Sequence, residues 1–213
     1  MTKVKIDITM SLDGFVAGPN PTVEHPLGEN GERLHEWIYG LASWNESHGR
    51  SGGSTGPDDA LVNEDLRSTG AYIMGRGMFG GGEGPWGDEP WQGWWGDDPP
   101  FHAPVFVLTH HAREPLTLSD TTFTFVTDGI ESALEQARAA AGERDVKLAG
   151  GASIDQQYLK AGLVDELQIH VAPLILGGGT RLFGELDDGA LALQQAQVIE
   201  SPAVTHLRYR VAG

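Results

Sequence analysis

Three junctions at the ends of predicted strands carry residue types that could hold an anion. Residues 148–153 read Leu-Ala-Gly-Gly-Ala-Ser, and such small side chains would let backbone amides and a helix amino end point at a pyrophosphate. Gly75 and Arg76 form a second junction, where a planar guanidinium suits a phosphate or a carboxylate. Thr109 and His110 follow a third strand. Because the carboxyl ends of parallel strands gather at one edge of a sheet, the three junctions together favour a nucleotide site.

Each junction also has an ordinary explanation. Gly-Gly between a strand and a helix is more often only a turn, and Arg76 could be a surface residue of an acidic protein. The glycines do not complete the Rossmann fingerprint, and the P-loop lysine is missing. His110 and His111 are adjacent in an extended segment, so they point to opposite faces and we expect no metal site.

A few side chains could contact a substrate. Asp13 stands where the first predicted strand enters a glycine turn, and its carboxylate could position a substrate or relay a proton through water. It could equally cap the turn with Gly14. Trp37, Trp44 and Tyr72 could stack on a flat ring, although aromatic residues on strands and helices usually belong to the core.

These residues need a scaffold of alternating strands and helices. Apolar periodicity predicts strands at 4–10, 71–74, 105–109, 123–127, 146–149 and 164–176, and helices at about 31–43, 58–68, 130–141 and 154–161. Asp58 and Asp59 are expected to cap the second helix through their carboxylates. Residues 191–199 and 204–211 predict an antiparallel hairpin. We therefore expect a three-layer α/β fold, in which helices flank a mixed, mostly parallel sheet with a C-terminal antiparallel hairpin.

Two segments interrupt the pattern of a single domain over residues 1–213. Residues 45–57 are rich in Ser and Gly and predict a surface loop. Residues 77–104 contain eight Gly, five Pro, four Trp and five acidic residues and show no periodicity. This second excursion is either a lid whose tryptophans close over a ligand or a segment held to the surface, or to a partner subunit, by aromatic anchors.

The composition excludes several functional classes. Lys and Arg number 14 against 30 Asp and Glu, and the formal net charge of -16 repels nucleic-acid backbones and anionic lipids. The absence of cysteine excludes disulfides and thiolate metal sites. The first ten residues resemble a strand rather than a signal peptide, and the apolar runs are far shorter than the ~20 residues that span a bilayer. We therefore expect a cytoplasmic protein that has no nucleic-acid or membrane partner.

Five segments together carry a family resemblance: SLDGFVAG (11–18), YIMGR (72–76), VFVLT (105–109), LAGGAS (148–153) and VDELQIHVAPLILGGGTRLF (164–183). In this order they resemble the dihydrofolate-reductase-like superfamily. The chain looks most like the reductase domain of bifunctional riboflavin-biosynthesis deaminase-reductases and the stand-alone proteins of that branch. The resemblance covers the chain apart from the two excursions, and 164–183 is its most specific segment.

The resemblance implies an NADPH-dependent reductase, usually a homodimer, that transfers a hydride to a C=N or C=O carbon of a small pterin-like or pyrimidine-like heterocycle. By position, Asp13 and Gly14 would border the nicotinamide and the substrate, and the pocket would gain another wall from Leu174, Gly177 and Gly178. The remaining positions that would contact the cofactor are Gly75 and Arg76 along its length, Thr109 and His110 near the adenosine 2′-phosphate, and Gly150, Gly151, Ala152, Ser153 and Ile154 around the pyrophosphate and nicotinamide.

The sequence also departs from the family pattern. Ala149 stands where the riboflavin-pathway reductases have a residue that resembles Glu and touches the ribosyl-pyrimidine, and the deaminase zinc motif is missing. Dihydrofolate reductases bind the pterin with a carboxylate on the helix before the MGR strand, a role open here to Asp58, Asp59 or Asp65. Two alternatives to the NADPH-dependent reductase therefore stay open, namely a diverged nucleotide-binding module without turnover and a flavin-linked reductase.

Overall fold

The computed structural model describes residues 2–22, 24–88, 91–184, 186 and 191–212. Its strands in chain order are β1 (Val4–Ser11), β2 (Phe15–Ala17), β3 (Thr69–Gly75), β4 (Val105–Leu108), β5 (Leu116–Leu118), β6 (Thr121–Val126), β7 (Asp145–Gly150), β8 (Glu166–Ala172), β9 (Thr180–Arg181), β10 (Ala192–Glu200) and β11 (Thr205–Ala212). The α-helices are α1 (Ala42–Ser47), α2 (Pro57–Ser68), α3 (Arg76–Phe79), α4 (Ile130–Ala141) and α5 (Ala152–Lys160). A 3-10 helix spans Gly31–His35.

Nine of the described strands form one sheet in the order β10-β11-β8-β1-β7-β3-β4-β6-β5. The six strands from β8 to β6 are parallel to their neighbours. The hairpin of β10 and β11 joins β8 antiparallel, and β5 joins β6 antiparallel. This arrangement confirms the predicted mixed, mostly parallel sheet with its C-terminal hairpin.

The side chains of the central strands alternate between two cores. On β3, Ala71 and Ile73 belong to the larger core, which also contains the buried faces of α4 and α5. Tyr72 and Met74 belong to a second core that includes aromatic residues of the 77–104 excursion. All seven residues of β3 are buried, as expected of a central strand in a parallel sheet covered on both faces.

Two of the predicted elements are wrong in extent. The predicted helix over 31–43 is a 3-10 helix followed by turns, although Leu34, Trp37 and Leu41 are buried as their spacing requires. The helix cannot continue because Leu41 is extended and forms a bridge with Ser54. The predicted strand over 164–176 ends at Ala172, because the proline that follows has no amide hydrogen to donate to the sheet.

Smaller corrections concern the termini of two helices. Helix α5 starts at Ala152, two residues earlier than predicted. Helix α2 has Gly56 as its N-cap and no side-chain cap there, so the predicted capping by Asp58 and Asp59 is wrong. Asp59 instead accepts a hydrogen bond from the Ser43 amide (2.7 Å). Residues 48–56 form a loop as predicted, but 45–47 belong to α1.

The tryptophans of the 77–104 excursion hold the segment together and attach it to the rest of the fold. The indole N–H groups of Trp86, Trp91 and Trp94 donate to backbone carbonyls of His111, Phe79 and Met78 at 2.8–2.9 Å. The Trp95 ring stacks on Phe123. The contacts of Trp86 and Trp95 favour the anchored segment over a lid whose tryptophans close over a ligand. In the part of the chain that the structure describes, none of the helices is long and apolar enough to cross a membrane.

Candidate active site

The predicted glycine corners meet at the carboxyl ends of neighbouring strands. A Cβ atom on Gly75, at the end of β3, would lie 2.7 Å from Cγ1 of Ile154 on α5, so only glycine allows the two corners to approach this closely. Gly150, at the end of β7, has a φ of +103°, and the peptide bond between Gly150 and Gly151 is cis. The structure therefore brings together residues 75–76 and 150–154, as the sequence predicted.

We expect Gly75→Ala to lower the free energy of unfolding by about 1–3 kcal/mol, because the added methyl overpacks the contact with Ile154. Urea denaturation should show this loss in the wild-type background and a much smaller one when Ile154→Ala is already present. Gly77→Ala is the matched control, since a Cβ there meets nothing within 4 Å. Equal losses at Gly75 in both backgrounds would contradict the packing argument.

A cationic cluster lies beside these corners. The Arg76 guanidinium donates to the Gly80 carbonyl (3.0 Å), lies 3.5 Å from the Thr109 hydroxyl and stacks 3.1 Å from the ring centre of Trp86. Arg113 approaches the same ring at 4.8 Å. Burial lowers the pKa of Arg76, and the nearby charge of Arg113 lowers it further.

In the described part of the chain this cluster has no internal counterion. Among the described residues, no carboxylate forms an ion pair with Arg76 or Arg113. Two neighbouring guanidiniums without an acidic partner are notable in a chain of net charge -16, and they suit an anionic ligand. Thr109 is buried at this cluster, whereas His110 is exposed.

Asp13 connects two loops at the other side of the glycine corners. Its carboxylate accepts hydrogen bonds from the Ser11 hydroxyl (2.7 Å) and from the amides of Leu176 (3.1 Å) and Gly177 (2.7 Å). The pKa of Asp13 is lowered to about 2. The hydrogen bond from Ser11 contributes most, burial opposes it, and the two amides lower the pKa further. This geometry accounts for Asp13 as a residue that positions the loops, while its predicted role in catalysis stays a prediction.

The loops that Asp13 connects carry the other predicted substrate-wall residues. Leu12 donates its amide to the Leu174 carbonyl (3.0 Å), so the segment after β8 lies against the turn that contains Gly14. Gly14 has a φ of +89°, which favours glycine there. Gly178 follows Gly177 in the same segment. The cavity described next is not lined by Gly14, Leu174, Gly177 or Gly178.

A cavity of about 260 Å³ opens between β1, β7, β8 and helix α2. Its walls are largely aromatic and its floor is polar. The aromatic wall residues are Trp37, Trp44, Tyr72, Trp95 and Phe101, and the polar floor includes Asp7, Thr9, His35, Asp65, Lys147 and His170. Burial raises the pKa of Tyr72 to about 12. Ala149, the departure from the riboflavin-pathway pattern, also lines the cavity.

The floor holds a buried ion cluster. Asp65 on α2 lies 2.6 Å from both Lys5 and Lys147, and Lys147 lies 3.6 Å from Asp7. Burial alone would raise the pKa of Asp7, but the charges of Lys147 and His170 outweigh burial and hold it below its usual range. Burial likewise opposes the charge of Lys147, yet Asp65 and Asp7 raise its pKa. Asp7 and Lys147 are therefore both charged at neutral pH.

This cluster tests the three candidates for a pterin-binding carboxylate. Asp65 reaches the cavity, but it already forms ion pairs with two lysines. It is therefore not an unpaired carboxylate available to a ligand. Asp59 contacts Ser43, and Asp58 lies 3.0 Å from Nε2 of His206. The free polar group of the floor is a different one: Nδ1 of His35 is buried and has no hydrogen-bond partner among the described residues.

The sheet order, the glycine corners and the adjacent cavity define a protein of the dihydrofolate-reductase-like class. The structure aligns with dihydrofolate reductase from Enterococcus faecalis, complexed with NADP(H) and RAB-propyl, at a TM-score of 0.51 and 11% identity, covering 99% of this chain and 97% of that one. Within this class, the chain belongs to the RibD C-terminal domain family, whose model matches residues 2–207. The predicted family and fold class are thereby confirmed.

Two relatives indicate the range of this family. YyaP, an uncharacterized protein of Bacillus subtilis (strain 168), is 34% identical over 186 residues, which cover 85% of this chain and 80% of that protein. The diaminohydroxyphosphoribosylaminopyrimidine deaminase/5-amino-6-(5-phosphoribosylamino)uracil reductase of Thermotoga maritima shares the fold, at a TM-score of 0.63 and 16% identity. That alignment covers 99% of this chain and 57% of the Thermotoga chain.

Proposed function

We propose that this chain is an NADPH-dependent oxidoreductase that transfers a hydride to a C=N or C=O carbon of a small, flat heterocycle. The observation that carries the proposal is the adjacency of two sites. Glycine corners lie at the carboxyl ends of the strands beside two guanidiniums that have no carboxylate partner among the described residues, and an aromatic cavity with a polar floor opens beside β7. Met78 of α3 lines the cavity and lies near Gly150, so the two sites adjoin.

The residues present fit a reduced nicotinamide dinucleotide. Residues 150–154 would hold its pyrophosphate and nicotinamide side, and Arg76 with Thr109 would hold the adenosine phosphate. When bound, the nicotinamide would supply the hydride, which is chemistry that belongs to the cofactor. The protein would orient the ring substrate, exclude water and supply a proton.

The aromatic cavity supports a pterin-like or pyrimidine-like substrate. Trp37, Trp44 and Tyr72 offer faces for a planar ring, and Thr9 and His35 offer groups that can hydrogen-bond to its edge. Ala149 cannot accept a hydrogen bond through its side chain, so we do not assign the ribosylaminopyrimidine of riboflavin synthesis as the substrate. A homodimeric state and a cytoplasmic location belong to this proposal as well.

Two measurements test the proposal. NADPH should quench tryptophan fluorescence, because Trp86 contacts Arg76. NADPH should then be oxidised in the presence of at least one member of a panel of pterins and ribosylaminopyrimidines. Binding without oxidation across the panel would favour the nucleotide-binding module, and the absence of binding by both NADPH and NADH would refute the proposal.

Arg76→Ala should weaken NADPH binding by about 10-fold to 100-fold, because charge-assisted hydrogen bonds contribute roughly 1.5–3 kcal/mol. The affinity for NADH, which lacks the 2′-phosphate, should fall by less than about threefold by the same reasoning. Isothermal titration calorimetry measures both losses, and Arg33→Ala, which removes an exposed guanidinium elsewhere, is the control. An equal loss of affinity for NADPH and NADH would instead mean that Arg76 only stabilises the conformation of its own loop.

A further inference from the structure

Two buried histidines form a hydrogen bond to each other beneath the cavity. His170 on β8 and His206 on β11 stand directly opposite in the antiparallel pairing of these strands, so their side chains share one face of the sheet. Their Nδ1 atoms are 2.6 Å apart, and the residues are only 3% and 2% exposed. His170 lines the cavity, whereas His206 does not.

A carboxylate lies at each end of this histidine pair. Nε2 of His170 is 2.9 Å from Oδ1 of Asp7, which lines the cavity. Nε2 of His206 is 3.0 Å from Oδ1 of Asp58, in the first turn of α2. The four side chains therefore form a continuous chain of hydrogen bonds from the cavity floor to the edge of α2.

The hydrogen-bond partners determine how many protons the pair carries. An ionised carboxylate can only accept, so Nε2 of His170 and Nε2 of His206 must both carry a hydrogen. The contact between the two Nδ1 atoms needs one further hydrogen, since two lone pairs or two N–H groups would repel. Three hydrogens on four ring nitrogens leave the pair with one positive charge.

The charges around the pair place this extra proton on the side of the cavity. Burial lowers the pKa of His206 and outweighs the Asp58 hydrogen bond that raises it, and the charge of His170 lowers it further, so we assign the neutral ring to His206. Burial also lowers the pKa of His35. The ionised carboxylate of Asp7 stabilises the charge on His170 directly. The titratable groups that face the pair from the surrounding elements are Asp7 on β1, His35 in the 3-10 helix, Asp58 and Asp65 on α2, and Lys147 on β7.

We propose that the His170–His206 pair is the proton store of the reduction, holding one excess proton under the cavity and releasing it to the substrate through Asp7. This inference rests on the proposed reductase function. Reduction of C=N or C=O adds a hydride to carbon and a proton to nitrogen or oxygen. The hydride carries both electrons and comes from the reduced nicotinamide, so the store has to provide one proton and no electrons.

The proton moves in two balanced steps. The N–H bond at Nε2 of His170 breaks as an O–H bond forms on Asp7, and the pair becomes neutral while the remaining Nδ1 hydrogen stays on His170. The O–H bond of Asp7 then breaks as the proton joins the substrate nitrogen or oxygen, and Asp7 returns to a carboxylate. A proton from the solvent then enters the emptied cavity through water, binds Asp7 and passes to Nε2 of His170, so that each turnover consumes one solvent proton.

His206→Phe tests the store without altering the cavity lining. The phenyl ring can keep the edge contact with Trp37, which now lies 5.2 Å from the His206 ring, but it cannot share a proton. We expect kcat to fall by about 100-fold, within the usual range for loss of acid catalysis, while KM changes little. The pH above which the rate falls should shift down, since the N–H at Nδ1 of His170 then loses its hydrogen-bond acceptor.

His206→Gln should restore at least about a tenth of the wild-type rate, because its amide oxygen can accept a hydrogen bond from Nδ1 of His170. His102→Phe is the matched control: it removes a surface His–Asp pair (2.8 Å) outside the cavity and should leave kcat and its pH profile unchanged. A structural role for His206 alone would reduce stability in both position-206 variants without moving the pH profile. An unchanged kcat in a folded His206→Phe protein would overturn the proposal.

A second measurement needs no substrate. Nitrogen-15 NMR of the histidine rings at neutral pH should show three protonated nitrogens among the four of His170 and His206. A count of two or four protonated nitrogens would overturn the proposed proton store, whatever the kinetics show. If no pterin or ribosylaminopyrimidine is reduced, the proposed function fails, but the NMR count still decides whether the pair holds an excess proton.

Discussion

Lys147→Met is expected to lower the free energy of unfolding by about 3 kcal/mol or more, the usual cost of removing one partner from a buried ion pair. Lys147 is the link between Asp65, 2.6 Å from its Nζ, and Asp7, 3.6 Å away. Methionine has a similar length but no charge, so both carboxylates would keep their burial and lose this partner. Asp65 would keep its ion pair with Lys5, and Asp7 would keep its contact with His170. These remaining partners limit the loss of stability.

Lys3→Met is the matched control, because Lys3 forms an exposed pair with Glu166 at 3.0 Å. Exposed pairs contribute ~1 kcal/mol or less, so urea denaturation should separate the two variants clearly. A loss at Lys147 no larger than that at Lys3 would mean that the floor cluster is well solvated.

The same variant should also shift acid unfolding. The pKa of Asp7 in the folded protein is below its value in the unfolded chain, so the folded state binds fewer protons. Stability from Asp7 is therefore present above about pH 4, the ordinary range of an aspartate, and lost as the pH falls through the folded pKa. Lys147→Met removes one of the charges that lower this pKa, and its acid unfolding midpoint should move to higher pH.

Much of the scaffold could be predicted because local patterns determine it. The stripe of Ala133, Leu134, Ala137 and Ala141 is buried, and the helix that carries it spans the residues predicted for it. The glycine corners at 75 and 150–151 were found because a tight junction between a strand and a helix depends on residues that are adjacent in the sequence. The prediction failed where a residue distant in the sequence determines the backbone conformation. At Leu41, the bridge to Ser54 keeps the backbone extended and prevents the predicted helix.

The polar floor of the cavity was missed because its members come from separate strands and from two helices that lie far apart in the sequence. Lys5 and Asp7 alternate with buried Val4 and Ile6, a pattern that ordinarily indicates a strand with one face in water. Helix α2 covers the Lys5 face of β1 instead, through the ion pair of Asp65 with Lys5. A signal was present, since a strand predicted to lie inside a parallel sheet should be apolar on both faces. Charged residues such as Lys147 on a strand of this kind indicate a buried site.

The roles of the predicted residues depend on partners that the sequence does not identify. The carboxylate of Asp13 is used by the amides of Leu176 and Gly177, more than 160 positions away in the chain. His206 lies opposite His170 only because the hairpin returns to the sheet beside β8. Sequence patterns located the glycine corners but not the histidine pair, because a corner is local and a chain of hydrogen bonds is assembled from distant strands.

Asp155→Asn is expected to stabilise the protein increasingly as the pH rises from about 4 to 8. Asp155 lies on α5 close to Gly150, is fully buried, and has no hydrogen-bond partner for either carboxyl oxygen among the described residues. Burial raises its pKa to about 8. The folded state therefore keeps a proton that the unfolded chain has released, so stability is full below about pH 4 and is lost as the pH rises through 8.

The neutral amide has no proton to lose, so the stability difference between Asp155→Asn and wild type should grow with pH. The upper limit of the slope is about 1.4 kcal/mol per pH unit, or about 5 kcal/mol over the whole interval. Urea denaturation at several pH values between 4 and 9 measures this slope, which is independent of any constant cost of placing an amide in the site. Asp128→Asn, at an exposed position, should show no slope. A flat difference for Asp155→Asn would mean that the carboxyl ionises at ordinary pH, and that a polar partner or water then reaches it beside the glycine corner.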